Sequence, residues 1–295
     1  MEERNLFNRN YSINYNKLKY LFIKLKNFSF NPHISTIDYN RKAEDITTLI
    51  FNYTNMTKYK YGLNGFNKMN LIIRDEKLYN STIGLNLTQK SRNMIHFSYD
   101  SYILSQIIGH LLGDGSLSMT WSSKNPYFVF TQGLIRFDYA WYVFNNMKFL
   151  CKSMPRLGKS NRNMKTLYYI QVQTRSYPFL KDIYDTFYKS NDTKKMVKII
   201  PIEILYWLNS ISLAYWAMDD GSSTTSGSGF YLHTKGFSYK DVYLLAGILH
   251  YKFNIFVTVQ NHENRPVIYI KAESKKKFFS LIKPYFHKSM LYKLK

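Results

Sequence analysis

Ile107-Ile108-Gly109-His110-Leu111-Leu112-Gly113-Asp114-Gly115 and Leu213-Ala214-Tyr215-Trp216-Ala217-Met218-Asp219-Asp220-Gly221 are two versions of one pattern. Each is apolar for most of its length and closes on an acid followed by glycine. With almost no polar face, each stretch reads as a helix buried on most of its surface. The acid then falls at the helix C-terminus, where the helix dipole is negative and the surroundings are apolar, a poor place for a carboxylate. Two such acids, Asp114 and Asp220, 106 residues apart, call for a compensating cation or a reaction.

Two nearly all-apolar helices are most easily buried against each other. Gly109 and Gly113 lie four apart on the first, and Ala214 and Ala217 three apart on the second, so small residues can line a close crossing. Such a crossing brings Asp114 and Asp220 together. Like charges at that range force one acid to take up a proton unless a divalent cation lies beside them. A hard cation with oxygen ligands suits the pair, and Mg²⁺ suits it best because it accepts few protein ligands and keeps waters for phosphate oxygens.

The rest of the chain repeats around the two motifs. Asp100 or Ser101 can cap the first helix, and Gly113 and Gly115 stop it. Strand-like Tyr127–Thr131, a helix over 134–150, an alternating strand Tyr168–Thr174 and a helix over 178–188 follow. After a helix near Pro201 and the second motif come strand Phe230–Lys235, a helix over 239–251, strands Ile255–Gln260 and Val267–Ala272, and a helix over 275–286. Thr131-Gln132-Gly133 aligns with Thr234-Lys235-Gly236, Tyr169-Ile170-Gln171 with Tyr269-Ile270-Lys271, and Lys198 with Lys293, at offsets falling from 106 to 95. Two α/β halves related by a pseudo-two-fold axis are expected from this duplication.

With 45% hydrophobic and 18% aromatic residues the chain can build a sizeable core. Its charge is unusual: 41 Lys and Arg against 19 Asp and Glu leave a formal +22, which favours a polyanionic partner such as nucleic acid. The single cysteine, Cys151, leaves no partner for an internal disulfide, and no apolar run is long enough to span a membrane. The first residues, Met1-Glu2-Glu3-Arg4-Asn5, read unlike a secretory or import signal. The seven histidines are too scattered for a zinc pair, and no Gly-rich phosphate cradle is present.

Charge and paired acids agree on one chemistry. Carboxylate-bound metals near a two-fold axis in a basic protein fit hydrolysis of two phosphodiesters on antiparallel strands. Gln171, Gln173, Tyr231, His233, Lys235 and Lys271 alternate onto strand faces that can read base edges in the major groove, although such a residue taken alone is more often part of an ordinary solvated sheet face.

Both nonapeptides, and Ser212 to Gly221 above all, resemble the motif of LAGLIDADG homing endonucleases, in the single-chain group that carries two copies. The resemblance spans about residues 98–295, and the second half is similar to mitochondrial intron-encoded enzymes. It implies an α+β fold of two αββαββα halves, with the motif helices at the interface and each four-stranded sheet saddling the DNA major groove. Residues 1–97 then form a basic N-terminal extension, 98–200 the first repeat and 201–295 the second. The resemblance also implies a monomer that cuts both strands of double-stranded DNA across the minor groove, using Mg²⁺, with Mn²⁺ as a substitute. On this basis Asp114 and Asp220 are the metal-binding acids, and the main-chain carbonyls of Gly113 and Asp219 complete the sites. The Asp219 side chain is secondary, because the first copy has Gly113 in its place. Lys198 and Lys293 match lysines that two-motif relatives place near the scissile phosphates, where they stabilise charge on the phosphorane and tune the attacking water. Gln132 and Lys235 join them as further members of the active-site or base-reading shell.

Two other readings share these features. An RNA maturase that helps its own group I intron to fold has the same basic surface, but RNA binding does not require both Asp114 and Asp220. A purely structural DNA-binding protein requires neither. An organelle-borne reading frame of this kind is translated inside the mitochondrion.

Overall fold

The computed structural model describes residues 82–294 other than 84, 98–100, 163–164, 192, 194 and 225–226. The chain divides between Leu85 and Asn86, and the fold described here is that of the second unit. The apolar patches Leu18–Leu25 and Leu49–Phe51, which by sequence suggest some helix, lie outside the described residues. Phe97 packs on Phe149 and Phe179, with ring centroids 6.1 and 5.0 Å apart, so residues just before the first motif belong to this unit.

A short helix, α1 (Gln89–Asn93), precedes the first motif helix, α2 (Tyr102–Leu112). Ser101 caps α2 by accepting the Leu104 N–H. Every residue from Leu104 to Leu112 is buried, as the absence of a polar face requires. Then come β1 (Gly115–Ser118), β2 (Tyr127–Gly133), α3 (Phe137–Met147), β3 (Arg156–Arg162), β4 (Lys165–Gln173) and α4 (Phe179–Phe187). A small hairpin, β5 (Tyr188–Ser190) and β6 (Met196–Lys198), and the one-turn helix α5 (Ile204–Trp207) lead to the second motif helix, α6 (Ser210–Asp220). Asn209 caps α6 in a capping box with Ser212. The order then recurs as β7 (Gly221–Ser223), β8 (Phe230–Leu232), α7 (Tyr239–Phe253), β9 (Val257–His262), β10 (Arg265–Ile270) and α8 (Ala272–Ile282). Each half is αββαββα, in the α+β class expected.

Both sheets are antiparallel with the same strand order, β1-β2-β4-β3 and β7-β8-β10-β9. Phe128, Phe130, Ile170 and Val172 of one, and Phe230, Leu232, Ile268 and Ile270 of the other, point into the core and are at most 3% exposed. The alternate residues Thr131, Gln171, Gln173, Tyr231, His233 and Tyr269 lie half-buried on the outer faces. Lys271 follows β10 at the cap of α8 and stays tied to the sheet through its N–H to Phe256 O. Tyr139, Ala140, Val143, Phe144 and Met147 of α3 cover the inner face of the first sheet, and each large apolar side chain so buried contributes about 1.5–3 kcal/mol.

The ladders revise the sequence alignment of the halves. Gly115 pairs with Phe130 and Phe130 with Val172, while Gly221 pairs with Leu232 and Leu232 with Ile268. Gln132 is therefore equivalent to Thr234, not Lys235, and both are buried. Val172 corresponds to Ile268, so the offset there is 96, whereas the Tyr169 and Tyr269 match set it at 100. The offsets run 106, 102, 96 and 95 from motif to final lysine, because the second half shortens the first hairpin by four residues and the stretch to the fourth strand by six. A period-two structure punishes a one-residue slip by reversing every side chain, and local likeness of short tripeptides cannot detect that.

Other differences are local. The helix over 134–150 is α3 flanked by 3₁₀ turns at Leu134–Arg136 and Lys148–Leu150. The helix near Pro201 is only α5, because Leu208 turns extended before the Asn209 cap. β3 has almost no apolar alternation and gave no signal. It is a polar edge strand on β4, where Gly158 leaves room for the Tyr169 ring that a Cβ would meet at 2.3 Å. Among the described residues no helix is long and apolar enough to cross a membrane.

Candidate active site at the crossing of the motif helices

α2 and α6 cross at Gly109 and Gly113. A Cβ on Gly109 would lie 2.5 Å from the Ser212 carbonyl oxygen, and one on Gly113 would lie 2.5 Å from Asp219 Cβ and 2.8 Å from Asp219 Oδ2. The end of the seam away from the acids is tied by Asn209 Nδ2 donating to Ser105 Oγ at 2.7 Å and by the Tyr102 and Tyr215 hydroxyls 2.7 Å apart. At the other end both helices stop, delivering Asp114 and Asp220 to one place.

The acids sit in each other's field. Protein crowding raises the Asp114 carboxyl to about 6, aided by the charge of Asp219 and opposed by Gln132, His110 and Arg136, although the residue keeps an exposed surface. Burial raises Asp220 to about 7, reinforced by the charges of Asp114 and Asp219 and opposed by Lys293 and Lys198. Gln132 Nε2 donates to Asp114 Oδ2 at 2.6 Å, and its own Oε1 accepts from the Gly133 N–H at 3.2 Å and Arg136 Nη1 at 3.4 Å. Nothing among the described residues donates a hydrogen bond to the Asp220 carboxylate, which leaves its lone pairs for another partner.

Lysines from the end of each half enter beside these acids. Lys198 Nζ donates to the carbonyls of Leu111 at 2.8 Å and Gly115 at 2.9 Å. Lys293 Nζ donates to the carbonyls of Met218 at 2.5 Å and Asp219 at 2.9 Å. Lys293 satisfies two carbonyls at the end of α6, and Lys198 satisfies one at the end of α2 and one on the first residue of β1, so each places positive charge where the helix dipole is negative. Burial lowers both ammonium groups to about 8; the nearby aspartates hold them up, while Arg136 adds to the lowering of Lys293.

Asp219, by contrast, turns its carboxylate into the protein. It is 4% exposed and accepts from His110 Nδ1 at 2.8 Å, Tyr139 Oη at 2.7 Å and the Asp114 N–H at 3.2 Å. Its carbonyl oxygen already accepts from Lys293. His110 is fully buried and part of this network. Sequence reasoning missed this role, along with Tyr139 and Arg136, because nothing in their spacing ties them to the motifs.

The base-reading candidates divide. Gln132 is buried on Asp114 instead of lying on the outer face. Gln171 Nε2 donates to its cross-strand neighbour Thr131 at 3.3 Å, and Gln173 shares that face. On the second sheet Tyr231 lies against His233, His262 and Tyr269, and its hydroxyl donates to Gln260 Oε1 at 3.2 Å. His233 Nε2 shares a 2.8 Å hydrogen bond with Ser222 Oγ, and burial followed by the charges of Lys235, His262 and Lys293 lowers its pKa. Lys235 pairs at the surface with Glu263 at 2.5 Å. Gln260 and His262, which the sequence did not single out, belong to the same face because β9 pairs with β10.

No group of three or more His, Cys, Asp or Glu side chains gathers to hold a metal among the described residues.

The model of the LAGLIDADG DNA endonuclease family matches residues 104–278. The cytochrome b mRNA maturase bI2 of Saccharomyces cerevisiae is 33% identical over 267 residues, 86% of this chain and 57% of that protein. The probable intron-encoded endonuclease 1 of Wickerhamomyces canadensis is 35% identical over 113 residues, 37% of this chain and 48% of that protein. The chain thus spans about half the length of these two relatives. The intron-encoded endonuclease ai4 of Dictyostelium discoideum is 34% identical over 158 residues, 51% of this chain and 95% of that protein. Among solved structures, the homing endonuclease I-WcaI bound to its DNA recognition sequence superposes with a TM-score of 0.64 at 24% identity, covering 72% of this chain and 96% of that one, a likeness of fold.

Proposed function

The chain belongs to the LAGLIDADG DNA endonuclease family, and on that premise we propose that it is a site-specific double-strand DNA endonuclease of intron homing, in which Asp114 and Asp220 each serve one strand. The observation that carries this reading is the convergence of Asp114 and Asp220 at the ends of two crossing helices, each within the field of both buried lysines. RNA binding alone does not call for that arrangement.

The donor set fits a hard divalent ion. Asp220 has no hydrogen-bond donor among the described residues, Asp114 has one side-chain donor, and both resist ionisation without a cation. Asp114 and Asp220, with the carbonyls of Gly113 and Asp219, would hold Mg²⁺ or Mn²⁺. When bound, such an ion supplies Lewis-acid polarisation of a phosphate oxygen and an activated water. Gln132 fixes the Asp114 carboxylate, and Arg136 fixes Gln132. Lys198 and Lys293, protonated below about pH 8, stabilise negative charge that develops on each phosphate. Gln171, Gln173, Tyr231, His233, Lys235 and Lys271 face the major groove of the bound duplex. The repeats 98–200 and 201–295 act as one monomer on both strands, and 1–97 is a basic extension.

Purified protein with Mg²⁺ or Mn²⁺ is expected to cut an intronless target spanning the joined exons on both strands. Intact DNA together with tight binding of the intron RNA would instead establish the maturase reading. One observation favours that second reading: coverage of 86% of this chain by the S. cerevisiae maturase exceeds what residues 98–295 alone can supply, so the likeness reaches into the N-terminal extension. Both readings place the gene in an intron and the protein in the mitochondrion.

A further inference from the structure

We propose that Asp219 is a positioning residue that works across the seam, holding the acid of the opposite half. Its neighbour in sequence is Asp220, but its carboxylate is committed to the first half: it accepts from His110 Nδ1, Tyr139 Oη and the main-chain N–H of Asp114. A carboxylate only accepts, so Nδ1 of His110 carries the proton, and Nε2 is left to face Gln106 Nε2 at 3.4 Å. His110 and Tyr139 are fully buried, and with Gly113 they form a socket that a single carboxylate fills. The hydrogen bond to the Asp114 amide falls at the point where the chain leaves α2 and enters β1. Asp219 thereby sets where Asp114 presents its side chain, while Asp220, one residue on, makes none of these hydrogen bonds. The two halves are unequal here, because the first carries glycine at the equivalent position.

The inference rests on the nuclease reading, and its test separates the two. End-labelled duplex resolves cleavage of each strand, and amide exchange of the peptide across Gly113–Ser116 reports the Asp114 N–H without any cleavage. Asp219→Asn is expected to slow the strand that Asp114→Asn spares from cutting, by about 10- to 100-fold, with the other strand changed less than about twofold. Amide exchange at Asp114 is expected to accelerate in Asp219→Asn and not in Asp220→Asn. Tyr139→Phe removes one donor without altering the acids, and it gives the same strand bias in milder form if Asp219→Asn does not fold. Slowing of both strands alike, slowing of the strand served by Asp220, or unchanged exchange at Asp114 overturns the proposal. Wild-type protein that cuts neither strand yet shows the exchange difference sinks the nuclease reading and leaves the positioning role standing.

Discussion

Lys198 and Lys293, 95 residues apart, both donate to main-chain carbonyls where the motif helix of their own half ends: Lys198 to Leu111 and to Gly115 just beyond the helix, Lys293 to Met218 and Asp219. Each arrives from the last segment of its repeat, so each site is completed only when the whole half has folded. Replacement of either by Met is expected to lower cleavage of one strand by about 10²-fold or more, as removal of a preorganised charge does. Strand-resolved kinetics checks it. Because both groups titrate near pH 8, the rate of the wild-type protein falls as pH rises through that value.

The acids give a second pH dependence, opposite in its bearing on stability. Asp114 and Asp220 hold protons up to about pH 6 and 7, whereas they lose them near 3.8 when unfolded. Between those values the folded state binds more protons, so the stability of the metal-free protein falls as pH rises through this window. Thermal melts in a chelator are expected to drop between about pH 4 and 7, the span over which the two carboxyls differ between the folded and unfolded states. Added Mg²⁺ should raise the melting temperature at pH 8 and not at pH 5, since a ligating carboxylate must be deprotonated.

Unequal support of the two acids predicts unequal partial reactions. Asp114→Asn or Asp220→Asn alone should leave nicked product, in complementary strands. Gln132→Leu, which removes the 2.6 Å donor from Asp114, should slow only the strand served by Asp114. Loss of both strands at once in the Gln132 variant would show that the acids do not divide the work.

The crossing itself is tested by stability. Gly109→Ala places a methyl 2.5 Å from the Ser212 carbonyl, a backbone atom that cannot step aside, and should cost about 2–3 kcal/mol. Gly236→Ala meets nothing within 4 Å and serves as the control, with a change within about 0.5 kcal/mol. Denaturant melts of the two variants decide it.

Non-specific binding to DNA should weaken steeply with salt, as expected for a chain of formal charge +22 whose phosphate contacts dominate affinity.

What the sequence made legible follows periodicity and repetition. The motif helices, their burial, the paired acids and the two lysines were all visible, because an all-apolar run ending in Asp-Gly has few structural meanings and recurs here. The site network was not. Asp219 and His110 are on different helices, and Tyr139 lies on a third, so their meeting depends on how closely α2 and α6 approach, which only Gly113 facing Asp219 reveals. Gln132 was seen for the wrong reason: its strand parity turns it inward to Asp114, and the alignment that matched it to Lys235 missed that parity by one residue. β3 escaped because an edge strand whose single apolar residue is Leu157, among Arg, Gly, Lys, Ser and Asn, has no core face to pattern.

The glycine opposite Asp219 also bears on ancestry and redesign. A homodimer of two copies of the second half would set Asp219 against its own twin, placing two carboxylates where Gly113 now leaves room for one. Two copies of the first half would set glycine against glycine and strand the His110 and Tyr139 donors without an acceptor. The fused halves have become complementary, and neither can be exchanged for a duplicate of the other without rebuilding this socket.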